Sequence, residues 1–246
     1  MRGMDARAVA TDLPMEMTET VAQGLRETLE RIRAAADRCA REPGSVHLLA
    51  VSKMQPAEKI RAAFAAGQRA FGENYPQESL VKVRLLADLG IEWHFIGRVQ
   101  SNKTRAIAEH FAWLHSLCDL HHARRLSEQR PENLPPLRAC VQVNIDREST
   151  KAGLLPEDVA PFLRACRDLP RLTLCGLMTL PAPTQNEAAQ RVPFRALREI
   201  RDRLATPELP LETLSMGTSD DFEAAIAEGA TIVRIGTAVF GPRSSD

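Results

Sequence analysis

The sequence predicts an α/β fold, a single (β/α)8 barrel of the TIM type with an additional N-terminal helix. Eight short apolar runs alternate with amphipathic stretches over most of the 246 residues, and no linker rich in Pro, Gly or Ser divides the chain. Such alternation indicates parallel strands joined by right-handed crossovers, and a barrel of this kind needs about 250 residues. No glycine-rich dinucleotide fingerprint follows the first run, which disfavours an open Rossmann sheet.

The elements follow in order along the chain. Residues 1–16 lack periodicity and are predicted to form a ragged tail, which leaves a single domain over 17–246. An amphipathic helix is predicted between residues 17 and 41, with apolar positions at Val21, Leu25, Leu29 and Ile32. The strands are predicted at 46–51, 69–72, 92–96, 113–117, 137–145, 172–178, 212–214 and 231–235. The helices between them are predicted at 56–66, 75–88, 101–110, 119–129, 156–167, 187–205 and 219–228.

Composition excludes several classes of function. Lys and Arg number 32 and are balanced by 32 Asp and Glu, which argues against a general binder of nucleic acid or of anionic membranes. No apolar run approaches the roughly 20 residues that span a bilayer, and the N-terminus lacks the apolar core of a secretion signal. Five widely spaced cysteines without a CxxC favour buried reduced thiols over a disulfide framework or a zinc site. A cytoplasmic protein without a metal is therefore expected.

The first strand ends in a candidate nucleophile, Lys53. Alternation along HLLAVSK places Lys53 on the same face as Leu49 and Val51. If that face lines the barrel, desolvation lowers the pKa of the lysine and frees its amine to form a Schiff base with a carbonyl. A lysine that merely extends its charge to solvent from a strand end is the alternative.

The loops after strands seven and eight have the composition of an anion site. The segment LSMGTSDD leads into a helix, with Thr218 and Asp221 at the spacing of a capping box, and strand eight ends in the small turn of Gly236 and Thr237. Barrel enzymes frequently bind phosphate with these two loops. Ordinary helix capping is the alternative. Arg234, on the same face as Gly236, could bind phosphate, donate to a ring nitrogen or pair with a carboxylate.

An amine and an anion site across one barrel mouth match the two ends of pyridoxal 5′-phosphate (PLP), which carries an aldehyde and a phosphate. The chain also contains AVSK (50–53), FGENY (71–75), WHFIGRVQSNK (93–103), GLM (176–178), LSMGTSDD (214–221) and VRIGTAVFG (233–241). In these motifs it resembles the YggS/PLP-binding-protein family, the PLP homeostasis proteins, from about residue 21 to 241. The resemblance implies the barrel fold of the alanine racemase N-terminal domain.

The resemblance also implies a role for each matching residue. Lys53 would carry the PLP aldimine, Asn74 would lie near the ring hydroxyl, and Met178 would pack at the ring. Arg234 would face the pyridine nitrogen. The phosphate would be bound by Ser215, Gly217, Gly236 and Thr237. His94, Asn102 and Lys103 belong to the signature without an assigned contact, and Lys151 is not expected to be a primary ligand.

The expected function is to hold PLP as a carrier or buffer in vitamin B6 homeostasis, not to catalyse a reaction. A donor such as Arg234 leaves the pyridine nitrogen unprotonated, and the ring is then a poor electron sink. Alanine racemases add a tyrosine from a second domain, whereas the single tyrosine here, Tyr75, follows strand two. A racemase-like PLP enzyme and a PLP-free Schiff-base aldolase are the alternatives. A monomer is expected, with cofactor-free PLP enzymes as recipients.

Overall fold

The computed structural model describes residues 15–242, which contain a closed barrel of eight parallel strands in sequential order. Each strand pairs with the next, and the eighth pairs with the first, for example His47 with Ile232. The predicted barrel is therefore confirmed. The strands are β1 (His47–Val51), β2 (Ala70–Glu73), β3 (Glu92–Phe95), β4 (Trp113–Leu117), β5 (Leu137–Gln142), β6 (Leu172–Met178), β7 (Thr213–Ser215) and β8 (Ile232–Ile235).

Helices separate the strands as the apolar periodicity predicts. They are α1 (Met15–Arg38), α2 (Ala57–Ala65), α3 (Pro76–Leu85), α4 (Thr104–His110), α5 (Leu120–Gln129), α6 (Val159–Cys166), α7 (Glu187–Leu204), α8 (Phe222–Ala227) and α9 (Thr237–Phe240). Short 3-10 turns at 101–103 and 156–158 precede α4 and α6. Helix α9 is not among the sequence predictions, because four residues are too few to display a helical period.

The additional helix α1 covers the side of the barrel beside α2, α8 and α9. It buries Val21, Leu25 and Ile32, the positions whose spacing predicts it. A Cβ on Gly24 would lie 2.7 Å from the carbonyl oxygen of Ala238, so only glycine permits this close approach to α9. Residues 1–14, most of the predicted tail of residues 1–16, lie outside the described residues, and α1 begins two residues before the predicted boundary. The single domain over 17–246 stays a prediction.

The cysteines agree only in part with the expectation of buried thiols. All five are free, yet Cys39 is exposed just after α1, and Cys118 and Cys175 are half-buried. Within residues 15–242 no cluster of His, Cys, Asp and Glu could hold a metal ion. None of the helices in this part of the chain has the length and apolar content of a membrane-spanning segment.

Candidate functional site

A cavity opens at the carboxyl ends of the strands, where parallel barrels carry their functional residues. Its walls come from the segments that follow β1, β2, β3, β6, β7 and β8. The residues that line it are Val51, Lys53, Gln55, Asn74, Ile96, Leu180, Thr218, Ser219, Arg234, Gly236, Thr237 and Gly241. Five of the eight predicted site residues, which come from the segments at the ends of β1, β2 and β8, are therefore brought to one cavity.

Lys53 is half-buried in the cavity wall, two residues beyond the end of β1. The backbone on both sides of it is fastened to α3. The carbonyl of Ser52 accepts a hydrogen bond from Lys82 Nζ at 2.7 Å, and the N–H of Met54 donates to Glu78 Oε1 at 2.7 Å. Met54 has a φ of 57°, an unfavourable conformation for a residue with a side chain. These two bonds hold the turn in place and keep Lys53 on the cavity side.

The turn after β7 forms one of the two hydrogen bonds of the predicted capping box, the one from the Thr218 N–H to the Asp221 carboxylate, whereas the Thr218 hydroxyl donates to that carboxylate and does not cap an N–H. Asp221 Oδ1 accepts from the N–H of Thr218 at 2.6 Å and from its hydroxyl at 2.9 Å, and α8 begins only at Phe222. The predicted helix start at residue 219 is too early, since residues 219–221 form a turn before α8. Ser219 lines the cavity beside Thr218.

Two glycines shape the two turns by permitting close approaches. Gly217 has a φ of 92°, and a Cβ there would lie 2.7 Å from the Cβ of Ala225. Its carbonyl accepts the N–H of Arg234 at 2.9 Å, which joins the two turns. At Gly236 a Cβ would lie 3.0 Å from the carbonyl oxygen of Val51, so glycine lets β8 pass close to β1. Thr237 then begins α9, and a residue in the first helical turn has an N–H without an intrahelical acceptor.

Arg234 lies at the floor of the cavity and is 4% exposed. Its Nη1 donates to Ser215 Oγ and its Nη2 to the carbonyl of Thr179, both at 2.8 Å. Both described partners are neutral, so Arg234 does not form the carboxylate pair that the sequence left open. Burial lowers the pKa of its guanidinium to about 10, which leaves it charged at neutral pH.

Three predicted site residues do not line the cavity. Met178 packs in the barrel interior against Trp113 and Cys140, Ser215 lies beneath Arg234 with no exposed surface, and Gly217 is buried behind the turn. Their direct contact with a ligand stays a prediction.

The signature residues without an assigned contact also lie elsewhere. His94 is buried inside the barrel, Asn102 is exposed and Lys103 is half-buried beside α4. Lys151 pairs with Asp146 and Glu148 at 3.0 and 2.9 Å. None of these four residues is among those that line the cavity.

Sequence analysis missed several residues that line the cavity, although their positions just after the ends of strands could have indicated them. Ile96 directly follows β3, Leu180 lies two residues after β6, and Gln55 lies two residues after Lys53. Their side chains belong to no sequence motif that indicates catalysis or binding.

Asn74, a predicted site residue, has a buried side-chain oxygen without a hydrogen-bond partner among the described residues. A buried acceptor left in this way indicates a place for a ligand or water.

Comparison with known proteins agrees with this geometry. Residues 25–244 match the family model described as alanine racemase, N-terminal domain. The chain is 56% identical over 224 residues to the pyridoxal phosphate homeostasis protein of Pseudomonas aeruginosa, covering 91% of this chain and 96% of the relative. It is 48% identical over 226 residues to the protein of the same name from Escherichia coli, covering 91% and 97%.

Two solved structures show the same fold. PipY of Synechococcus elongatus with PLP bound has a TM-score of 0.76 at 36% identity, covering 90% of this chain and 100% of PipY. Alanine racemase of Corynebacterium glutamicum has a TM-score of 0.68 at 18% identity, covering 92% of this chain and 62% of the racemase, and shows the fold alone. By the family model and by its relatives, the chain belongs to the alanine racemase N-terminal domain family and, within it, to the group of the pyridoxal phosphate homeostasis proteins.

Proposed function

We propose that the chain binds PLP in the mouth cavity and acts in vitamin B6 homeostasis as a carrier or buffer, not as a catalyst. One observation carries the proposal: the amine-bearing Lys53 lines the same cavity as the donor-rich turns at 218–219 and 236–237. An aldehyde and a phosphate on one small molecule would satisfy both. The printed names of the relatives and the PLP bound to PipY support the same ligand.

The residues present fit this molecule. When bound, PLP supplies an aldehyde that reacts reversibly with primary amines and a pyridine ring that can accept electrons. We assign Lys53 as the amine that condenses with the aldehyde, with loss of water, and Asn74, with its unpartnered buried oxygen, as the residue nearest the ring hydroxyl. Arg234 would donate to the ring nitrogen from the cavity floor.

The phosphate would lie at the turns after β7 and β8. We assign Ser219, Gly236 and Thr237 as its binding residues, because all three line the cavity and two of them bring hydroxyl donors. Gly217 and Ser215 would contribute by shaping the turn and by holding Arg234.

A carrier is favoured over a catalyst by the titratable groups of the cavity. Of the lining residues in the described part of the chain, only Lys53 and Arg234 carry an ionisable side chain. Tyr75, the candidate second base, is 53% exposed and does not line the cavity. Proton transfer at an amino acid would therefore depend on Lys53 alone, since a guanidinium does not give up its proton readily.

Covalent trapping tests the binding site. Purified protein is incubated with PLP, reduced with borohydride and mapped by mass spectrometry. We expect one PLP per chain, fixed on Lys53, and no fixed label in Lys53→Ala. Lys103→Ala, which alters a lysine outside the cavity, is the matched control and should be labelled like the wild type. Labelling spread over several lysines, or a chain that PLP does not saturate, would contradict the proposal.

Two further measurements test the carrier role. Alanine and serine in deuterated water should exchange their α-protons far below the roughly 1–1000 s⁻¹ typical of enzymes. Exchange at an enzymatic rate would identify a racemase-like enzyme instead.

We also propose cofactor-free PLP enzymes as recipients. The wild type loaded with PLP should therefore activate such an enzyme, whereas Lys53→Ala treated in the same way should not. The monomeric state and the cytoplasmic location stay predictions.

A further inference from the structure

A continuous hydrogen-bond chain runs through the barrel interior and ends at Arg234. Glu92 Oε1 lies 2.8 Å from His94 Nε2, and His94 Nδ1 lies 2.8 Å from His115 Nε2. His115 Nδ1 lies 2.7 Å from Ser215 Oγ, which accepts from Arg234 Nη1 at 2.8 Å. Glu92 begins β3, at the end of the barrel opposite the cavity, and its side chain is 39% exposed. The other four residues are buried.

The two ends of this chain determine the direction of every hydrogen bond in it. A guanidinium can only donate, an ionised carboxylate can only accept, and a neutral imidazole donates from one nitrogen and accepts at the other. Arg234 therefore donates to Ser215, whose hydroxyl donates to His115 Nδ1. His115 Nε2–H then donates to His94 Nδ1, and His94 Nε2–H donates to Glu92. With both rings neutral, this order places the proton of each ring on Nε2, and all four ring nitrogens and the Ser215 hydroxyl have a partner.

The surroundings of the two rings favour this neutral state. Burial lowers the pKa of His94, and the Arg138 charge lowers it further, although Glu92 acts in the opposite direction. Burial lowers the pKa of His115 still more, with His94 and Arg234 acting in the same sense. Trp113 stacks on His94, with ring centroids 5.5 Å apart. A proton added to His94 would reverse the bond between the two rings and turn His115 Nδ1 into a donor toward Ser215.

We propose that His115 and Ser215 are positioning residues that fix Arg234 as a charged hydrogen-bond donor at the cavity floor. The hydroxyl proton of Ser215 is directed toward His115, so its oxygen presents lone pairs to the guanidinium. Thr179 holds the second nitrogen through its carbonyl at 2.8 Å. Two of the five N–H groups are thereby engaged by neutral acceptors, and the guanidinium keeps its charge and its orientation toward the cavity.

The first test needs no cofactor and is independent of the proposed function. Histidine side-chain nitrogen spectra of the purified wild type at neutral pH should show His94 and His115 as neutral rings protonated on Nε2. Assignment uses His115→Asn and His94→Gln, and His121, exposed on α5, is the reference ring. A proton on Nδ1 of His115, or a doubly protonated ring at either position, would overturn the proton order.

The second test rests on the proposed function and uses a matched pair of variants, His115→Asn and His115→Leu. The two side chains have nearly the same size, and both lose the contact with His94. Only asparagine places an acceptor near the position of Nδ1, where Ser215 can donate. We expect His115→Asn to keep the visible spectrum of bound PLP and an affinity within about threefold of the wild type.

We expect His115→Leu to shift the spectrum and to weaken PLP binding about tenfold or more, because Ser215 loses its acceptor and the guanidinium its fixed partner. Equal behaviour of the two folded variants, judged by circular dichroism, would overturn the positioning role. If the wild type itself fails to bind PLP, the proposed function fails, and the nitrogen spectra still decide the proton order. The spectra also decide it if His115→Leu does not fold, because their assignment does not use that variant.

Discussion

Two carboxylates, one behind the Lys53 turn and one after the C-terminal end of α8, are almost fully buried, and their pKa values move in opposite directions. Glu73 lies behind the Lys53 turn with no exposed surface, and Glu228 directly follows α8 at 1% exposure. The pKa of Glu73 is raised above its usual value, whereas the pKa of Glu228 is lowered. Equal burial therefore does not determine the charge state of a carboxylate.

Glu73 has too few donors to offset the cost of burial. Burial raises its pKa, and the opposing effects of Lys82 and Ser52 are smaller. Lys82 Nζ lies 2.9 Å from Glu73 Oε1 but also 2.6 Å from Glu78 Oε1, so one cation serves two carboxylates. The second oxygen of Glu73 has no hydrogen-bond partner among the described residues.

Glu228 is surrounded by cations instead. Burial acts to raise its pKa, but Arg195 and Arg191 of α7 outweigh this effect. Arg191, Arg195 and Arg198 approach its oxygens at 2.7, 2.9 and 3.0 Å, while their own side chains stay partly in solvent. The number of donors, and the access of those donors to water, explains the difference between the two carboxylates.

The largest effect should follow from removing Lys82, the one cation that pairs with Glu73 in the described part of the chain. Lys82→Met should lower the free energy of unfolding by about 3–5 kcal/mol, because a buried carboxylate loses its paired charge. Urea denaturation at pH 7 measures it. Lys103→Met, at a half-buried surface position, should cost less than about 1 kcal/mol. A similarly small cost for Lys82→Met would mean that Glu73 does not depend on its cation.

A smaller effect is expected at Glu228, which pairs with three cations. Glu228→Gln should lower the free energy of unfolding by about 1–2 kcal/mol, since the amide keeps part of the hydrogen bonding and the arginines can return to water. The control lies in the same helix: Glu223 pairs with Arg31 at 2.6 Å on the surface, and Glu223→Gln should cost less than about 0.5 kcal/mol. A greater loss for Glu228→Gln than for Lys82→Met would reverse the comparison.

The smallest and most diagnostic effect is in the pH dependence of stability. The folded pKa of Glu228 is below its unfolded value, so its stabilisation is present above the unfolded pKa and is lost as the pH falls. The advantage of wild type over Glu228→Gln should therefore grow from about pH 3 to pH 5, by less than about 1.4 kcal/mol per pH unit.

The pKa of Glu73 is raised, so its contribution is present below the unfolded pKa and is lost as the pH rises through the folded value. The advantage of wild type over Glu73→Gln should shrink as the pH rises above about 4.3. Denaturation curves over this range measure both variants. If the stability difference between wild type and variant changed with pH in the same direction for both positions, the two carboxylates would not differ as described.

Most elements of the barrel could be predicted from the sequence, and the misses have local causes. The strand predicted at 137–145 ends at Gln142, because Val143 pairs with Leu154 of the following loop. The apolar run continues past the strand, and periodicity cannot show where pairing with β4 and β6 stops. The predicted start of α8 is three residues too early, because residues 219–221 form a turn that periodicity does not separate from the helix.

The candidate site could be predicted wherever its chemistry lies in short motifs. Lys53, Asn74, Arg234, Gly236 and Thr237 lie in such motifs and line one cavity. The spacing of charged residues along the chain does not reveal which of them are buried or how many donors each one meets. The clusters around Glu73 and Glu228 were therefore beyond sequence analysis.

The order of strands and helices, the expected family and the chemistry of the cavity follow from local signals, because periodicity and short motifs act within a few residues. Only the tertiary structure brings Glu92, His94, His115, Ser215 and Arg234 together in one hydrogen-bond chain. His115 and Ser215, which are direct partners in it, are 100 residues apart in the sequence. A hydrogen bond needs its two atoms within about 3 Å, and only the closed barrel sets distances of that kind between β3, β4, β7 and β8.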